Sequence, residues 1–129
     1  MIRFATALSI LALLFVSTAC KPAGPKLYPV KGTVTLDGQP LQSGTIYFKT
    51  IATGAIDPLP VKDGQFVGQA VEGMRRVEVV AYRMIPVAGQ MGGEVQESLI
   101  APRFNSESTL TAEVTQKGPN DFAFKVESK

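Results

Sequence analysis

Val30-Lys31-Gly32-Thr33-Val34-Thr35-Leu36-Asp37-Gly38-Gln39-Pro40-Leu41 is the stretch that decides the fold. Val30, Gly32, Val34 and Leu36 fall on one side of an extended chain, and Lys31, Thr33 and Thr35 on the other. Strict alternation with β-branched residues predicts a half-buried strand. Asp37-Gly38 follows, a turn pair because glycine takes up positive φ without a steric cost. Leu41 resumes the apolar side. Thr45-Ile46-Tyr47-Phe48-Lys49 then alternates again, with Ile46 and Phe48 inward. The whole predicts a hairpin-like pair of strands.

The same grammar runs outward from this pair. Residues 50–60 carry Gly54, Pro58 and Pro60 and read as loop. Asp63-Gly64 turns the chain before a short strand over 65–70, which Glu72-Gly73 ends. Residues 75–83 form the most strand-like run. Val77, Val79 and Ala81 lie on one face and Arg76, Glu78 and Tyr82 on the other, while Val80 implies partial cover of that outer face. Residues 84–100 are glycine-bearing and poorly periodic, the profile of a long functional or mobile loop, with Leu99-Ile100 docking its end. A strand over 110–115, a turn at Gly118-Pro119-Asn120-Asp121 and a last strand with Phe122, Phe124 and Val126 inward complete the chain. About seven short strands separated by turn signals, with no internal helix, predict an all-β antiparallel β-sandwich of Greek-key type.

Ahead of the sandwich the composition changes. Met1-Ile2-Arg3 gives a positive start, an apolar stretch runs from Phe4 to Val16, and Ser17-Thr18-Ala19 supplies small residues at a cut site. The stretch has about 13 residues where a bilayer span needs roughly 20. Residues 1–19 therefore read as a helical, cleaved secretory signal peptide. Cys20, the one cysteine of the chain, comes next, and residues 20–29 form a Pro/Gly-rich tether to a β domain over 30–129.

Ser17-Thr18-Ala19-Cys20 resembles the lipobox of bacterial lipoproteins. That resemblance implies lipidation of Cys20, removal of residues 1–19 and attachment to the membrane through several acyl chains. It also implies that Lys21, in the place where an Asp favours the inner membrane, leans towards the outer membrane in a Gram-negative cell. The same small residues suit ordinary signal peptidase, which leaves a soluble domain with a free N-terminal cysteine; an uncleaved anchor is the third alternative. A lone cysteine has no disulfide partner within the chain, so structural use of the thiol is closed to it.

A second resemblance covers the sandwich. Val30-Lys31-Gly32-Thr33-Val34, Asp37-Gly38-Gln39-Pro40-Leu41 and Gly44-Thr45-Ile46-Tyr47-Phe48 are similar to the opening of carboxypeptidase-regulatory-like, transthyretin-like domains. Pro102, Phe104, Asn105, Ser108 and Leu110, followed by Asn120, Phe122 and Phe124, resemble the ending of small bacterial lipoproteins of that type. Asp121 adds a residue before the first phenylalanine. The middle departs from the pattern, because Gly73-Met74-Arg75-Arg76-Val77 lacks the aromatic expected after the glycine. The resemblance implies a sandwich of about seven strands and no activity, since fold and function separate readily.

Charge and composition narrow the function. Lys+Arg 13 against Asp+Glu 11 gives a chain near neutrality, with Arg75-Arg76 its densest basic spot. A nucleic-acid partner needs a concentrated positive face, and none is present in the sequence. With no histidine, the Ser-His and Cys-His nucleophile systems are excluded, as are the histidine-dependent activities of the enzymes whose accessory domain this chain resembles. Gly89-Gln90-Met91-Gly92-Gly93 lacks the ending of a phosphate loop. Met84 and Met91 offer thioethers to a soft metal, and Glu94, Glu97 and Glu107 offer carboxylates, but gap-filling and solvation account for them, so no metal and no cofactor is expected. The candidate binding face is Tyr47 and Tyr82 with Arg76 and Arg83.

The expectation is a lipid-anchored, non-enzymatic binding or structural module of the cell envelope, contacting protein or polysaccharide. The alternative is a carrier or sensor of a small ligand or metal that uses the 84–100 loop. Mass spectrometry of the mature N-terminus from the native host is expected to find residues 1–19 removed and Cys20 acylated. Cys20→Ala should lose the acyl mass and the membrane attachment; an unmodified Cys20 overturns the anchored reading.

Overall fold

The computed structural model describes residues 24–129, so the expected signal-peptide helix, Cys20 and the start of the tether lie outside the described residues. The regular structure of the described chain is almost entirely strand: β1 (Leu27–Leu36), β2 (Gln39–Pro40), β3 (Ser43–Thr50), β4 (Ala55–Lys62), β5 (Gln65–Val71), β6 (Gly73–Val80), β7 (Tyr82–Pro86), β8 (Glu94–Ser98), β9 (Thr111–Val114) and β10 (Asp121–Val126). A short 3-10 turn, Pro102–Phe104, interrupts the run before β9. The all-β class is as the sequence indicates.

One curled sheet holds the order β10-β1-β5-β4-β3-β6-β9, with β2 paired to β1. Its fold line lies between β4 and β5, which pair only at Lys62 and Gln65. There Asp63 and Gly64 both take positive φ, 52° and 76°, and Asp37-Gly38 does the same after β1. These are the two-residue turns whose twist suits a hairpin. On either side of the line, β10-β1-β5 faces β4-β3-β6-β9 as the two halves of a sandwich-like half-barrel. All the ladders are antiparallel except β1 with β10, which is parallel.

Aromatic rings join the halves. Phe48 of β3 meets Phe66 of β5 and Phe122 of β10, each at 6.0 Å between ring centroids, and Phe124 extends the cluster. Val30, Val34, Ile46, Val77, Val79 and Val126 fill the core around them. A fully buried Phe or Val contributes about 1.5–3 kcal/mol. Gly32 is required at the centre of this contact. A Cβ there would lie 1.9 Å from the Phe122 carbonyl oxygen and 2.6 Å from the Phe66 ring. The glycine of the opening motif therefore lets two phenylalanines close over β1.

Several boundaries differ from the sequence expectation. The tether ends earlier than position 29, because β1 starts at Leu27, opposite Val71. Pro29 is tolerated in it because the strand's other neighbour, β10, pairs only from Lys31 onward. Of residues 50–60, expected as loop, 55–60 belong to β4; its prolines fit because the edge facing β5 carries almost no ladder. The run over 75–83 breaks at Ala81, whose carbonyl accepts from the Leu99 amide at 2.9 Å. Residues 84–100, expected as one long loop, instead hold most of a separate two-stranded hairpin, β7 with β8, joined by a loop over 87–93.

The connections sort into two poles. The start of β1, the β3–β4 turn, the β5–β6 turn and the turn before β10 share the N-terminal pole. The β1–β2 turn, the β4–β5 turn, the C-terminus and the root of the β7–β8 hairpin share the opposite, hairpin pole.

Arg75 ties the N-terminal pole together. Its side chain is fully buried, with Nη1 2.6 Å from Asp57 Oδ2. Nη1 also donates to the Val71 carbonyl at 2.9 Å, and Nη2 to the Phe48 carbonyl at 2.6 Å. Asp57 in turn accepts from the Val71 amide at 3.0 Å. Removing one partner of a buried pair leaves the other charge uncompensated, which costs about 3–5 kcal/mol, whereas replacing both with apolar groups is often neutral. Arg75→Met is therefore expected to lower the denaturant midpoint sharply, and Arg75→Met with Asp57→Leu to recover much of the loss. Equal destabilisation by the single and double changes would refute the role given to the pair.

Candidate functional site

The four residues expected to form one binding face separate into two places. Tyr47 sits mid-β3 on the outer face, half-buried, opposite Pro58 of β4 and Glu78 of β6. The Lys49 ammonium lies 5.5 Å from its ring centroid. Arg76 and Glu78 project from β6 on the same side. Arg76 Nη2 donates to Glu78 Oε1 at 3.1 Å and to the Ser106 carbonyl at 2.6 Å. Lys49 makes a second ion pair with Glu78.

Glu78 is buried although it is charged and on the outer face. The segment after β8 explains this. Its 3-10 turn packs against β6, and the Ser108 hydroxyl donates to the Val77 carbonyl. Two cations meet the carboxylate where water is largely excluded. Arg76 is thus committed to Glu78 and Ser106, and this face holds its charges internally. The partial cover that Val80 implied is real, since Val80 is half-buried on that face.

Tyr82 and Arg83 belong to the β7–β8 hairpin, in the other sheet. Arg83 Nε donates to Glu97 Oε2 across the hairpin at 2.6 Å. Tyr82 is half exposed at the hairpin root. There it borders an apolar groove of about 350 Å³ with Leu36, Pro40, Leu41 and Leu99. Beyond the root the arm carries exposed Met84, Val87 and Val95, and Met91 at its tip is 99% exposed. Among the described residues, neither β7 nor β8 pairs with any other strand, so both outer edges of the arm present free backbone groups.

The metal candidates do not converge. Met84 faces Gln96 across the hairpin, Glu94 faces Pro86, and Glu97 is paired with Arg83. Among the described residues, no three histidine, cysteine, aspartate or glutamate side chains are grouped to hold a metal ion. A second apolar hollow of about 360 Å³ lies between Pro29, Val67 and Pro119, with Lys31 and Lys117 at its margin.

The sequence missed the Arg75–Asp57 pair. A signal existed on one side only. Arg75 shares parity with Val77 and Val79, which places it inward, but Asp57 lay in the stretch expected to be loop.

No family model, curated protein or solved structure matches this chain. The geometry itself carries the functional argument.

At the hairpin pole the C-terminus is clasped to the first turn. Asp37 accepts from the Ser128 amide at 3.0 Å and from its hydroxyl at 2.6 Å. The Ser128 hydroxyl and then its amide hold the Asp37 carboxyl below its ordinary 3.8. A depressed folded-state value means that the clasp stabilises the fold above 3.8 and is lost as pH falls through the lowered value. Carboxyl titration by NMR should place Asp37 below 3.8 in the native chain. Ser128→Ala should move it back up, and an unchanged titration would show that the clasp does not form in solution.

Proposed function

We propose that this chain is a lipid-anchored, non-enzymatic binding module of the cell envelope, held outside the cytoplasmic membrane through Cys20, that presents its β7–β8 hairpin to an envelope protein. The observation that carries this is the arm itself: exposed apolar side chains and free strand edges, at the pole away from the one where the chain joins β1. A strand edge recruits an extended partner through main-chain hydrogen bonds, with alternate side chains giving specificity. The large apolar side chains exposed on the arm, Met84, Val87, Met91 and Val95, are aliphatic or thioether, and Tyr82 is its single aromatic. That composition favours a protein over a polysaccharide, whose sugar rings stack on aromatic faces.

The lipobox-like Ser17-Thr18-Ala19-Cys20 supports the anchor, and Lys21 supports the outer membrane in a Gram-negative cell. The likeness to carboxypeptidase-regulatory-like domains is part of the same proposal. It gains support from the strand, Asp-Gly turn and strand order of β1 to β3 and from the role of Gly32. A second reading has the groove beside Tyr82 hold a small apolar ligand, since its volume lies within the usual range for ligand sites.

A photo-cross-linking residue at Met84 or Val95 is expected to trap one discrete envelope protein in the native host, and the same residue at Lys125 to trap none. Absence of adducts at both hairpin positions, with a ligand-dependent rise in Tm, would replace the first reading by the second.

A further inference from the structure

Resting on the anchored reading, we propose that the N-terminal pole is a bilayer-contacting surface, on which exposed Leu27, Ile51, Ile56 and Met74 enter the lipid interface and hold the domain upright. The four side chains ring this pole. Ile51 is 71% and Met74 63% exposed, and the others are about half exposed or more. Leu27 starts β1, Ile51 lies in the β3–β4 turn, Ile56 follows that turn and Met74 is the second residue of β6. The turn itself, Ile51-Ala52-Thr53-Gly54-Ala55-Ile56, carries no charge.

The occupant follows from where the chain arrives. Leu27 pairs with Val71 at this pole, and the Lys26 carbonyl accepts from the Glu72 amide at 3.1 Å. Cys20 precedes Leu27 by about seven residues, which extend at most roughly 25 Å. β1 alone, at about 3.3 Å per residue, is longer than that. A lipid on Cys20 therefore keeps the N-terminal pole within reach of the bilayer, while the hairpin pole stands beyond the tether's span in an upright domain. The surface is also rigid, because Arg75 and Asp57 bind the β3–β4 turn to the β5–β6 turn just inside it.

The contact is apolar rather than electrostatic. Lys26 and Lys117 at this pole are accompanied by Glu72 and Glu113, and Lys49 and Arg76, level with Ile56, are both held by Glu78. Residues partitioning in this way lie at the headgroup–acyl boundary, as the apolar face of an interfacial helix does.

The chain has no tryptophan, so a single introduced indole reports its own surroundings. Full-length protein carrying Ile51→Trp, Met74→Trp or Tyr82→Trp, all exposed positions, is processed in the host. It is then reconstituted into vesicles of phosphatidylethanolamine and phosphatidylglycerol with brominated acyl chains. The expected result is strong quenching and a blue shift for Ile51→Trp and Met74→Trp, neither for Tyr82→Trp, and no change between low and high salt. Quenching at 51 and 74 no greater than at 82 overturns the proposal. So does protection of both indoles from an aqueous quencher without bromine quenching, the signature of a second copy covering the pole. Mass spectrometry of the same samples reports acylation separately. An acylated chain with unquenched indoles sinks this inference alone, and an unacylated chain sinks the anchor.

Discussion

The buried guanidinium of Arg75 is the interaction on which the arrangement of this molecule depends. A half-barrel made from one folded sheet has its halves joined by a ladder of one residue pair, Lys62 with Gln65, by the turns that cross between them and by apolar contact. Apolar contact is non-directional and tolerates sliding. Arg75 adds direction. Its planar fork reaches the Phe48 carbonyl on β3, the Val71 carbonyl on β5 and the Asp57 carboxylate on β4, so three strands take fixed positions around one group. A lysine would supply a point charge without that planar set of donors. The cost is desolvation of a charge and a buried Nε with no partner among the described residues. What is gained is a defined register between strands that apolar packing alone would leave loosely specified.

The consequence is a division of labour between the ends. At the N-terminal pole the pair fixes the turns where the chain arrives. At the hairpin pole the fastening is peripheral: Asp37 holds Ser128, and Leu99 and Ala101 bond to Ala81 and Glu127. These bonds close the half-barrel where β6 and β10 end, and they fix the root of the hairpin. Charge follows the same division. Glu78 gathers Lys49 and Arg76 into a covered cluster on the outer face, which leaves that face with little to offer a partner.

The sequence made the core strands legible because each has one buried and one exposed face. Val30, Val34, Ile46, Phe48, Val77 and Val79 all point where their alternation places them. The Asp-Gly turns were equally legible, since positive φ restricts the residue choice. Legibility failed where that asymmetry was missing. β4 carries two prolines and reads as loop, yet an edge with almost no ladder accommodates them. β7 and β8 have no fully buried face, so nothing imposes a period of two on them. The candidate site failed for a related reason. Tyr47 with Arg76, and Tyr82 with Arg83, share sequence character but not a sheet, and the break at Ala81 that separates them depends on a bond to Leu99, far along the chain. The parallel pairing of β1 with β10 is likewise a property of the assembled sheet.

The hairpin combines a firm root with an unsupported arm, and that combination bears on what it can do. Ile100 is buried at its base, and the Ser98 hydroxyl donates to the Ile100 carbonyl at 3.0 Å. Beyond the root, a two-stranded sheet is marginal by itself, and cross-strand pairs such as Arg83 with Glu97 contribute only modestly where water screens them. Natural sheets usually blunt exposed edges with charge, proline or cover. Here Pro86 and the cross-strand ion pair do so in part, while Met84, Val95 and Met91 remain open to solvent. In the proposed role, an arm whose direction is set but whose edges are unfilled would place its backbone donors and acceptors for a partner strand before that strand arrives. Part of the ordering cost of association is then met within the fold, which is the physical meaning of preorganisation.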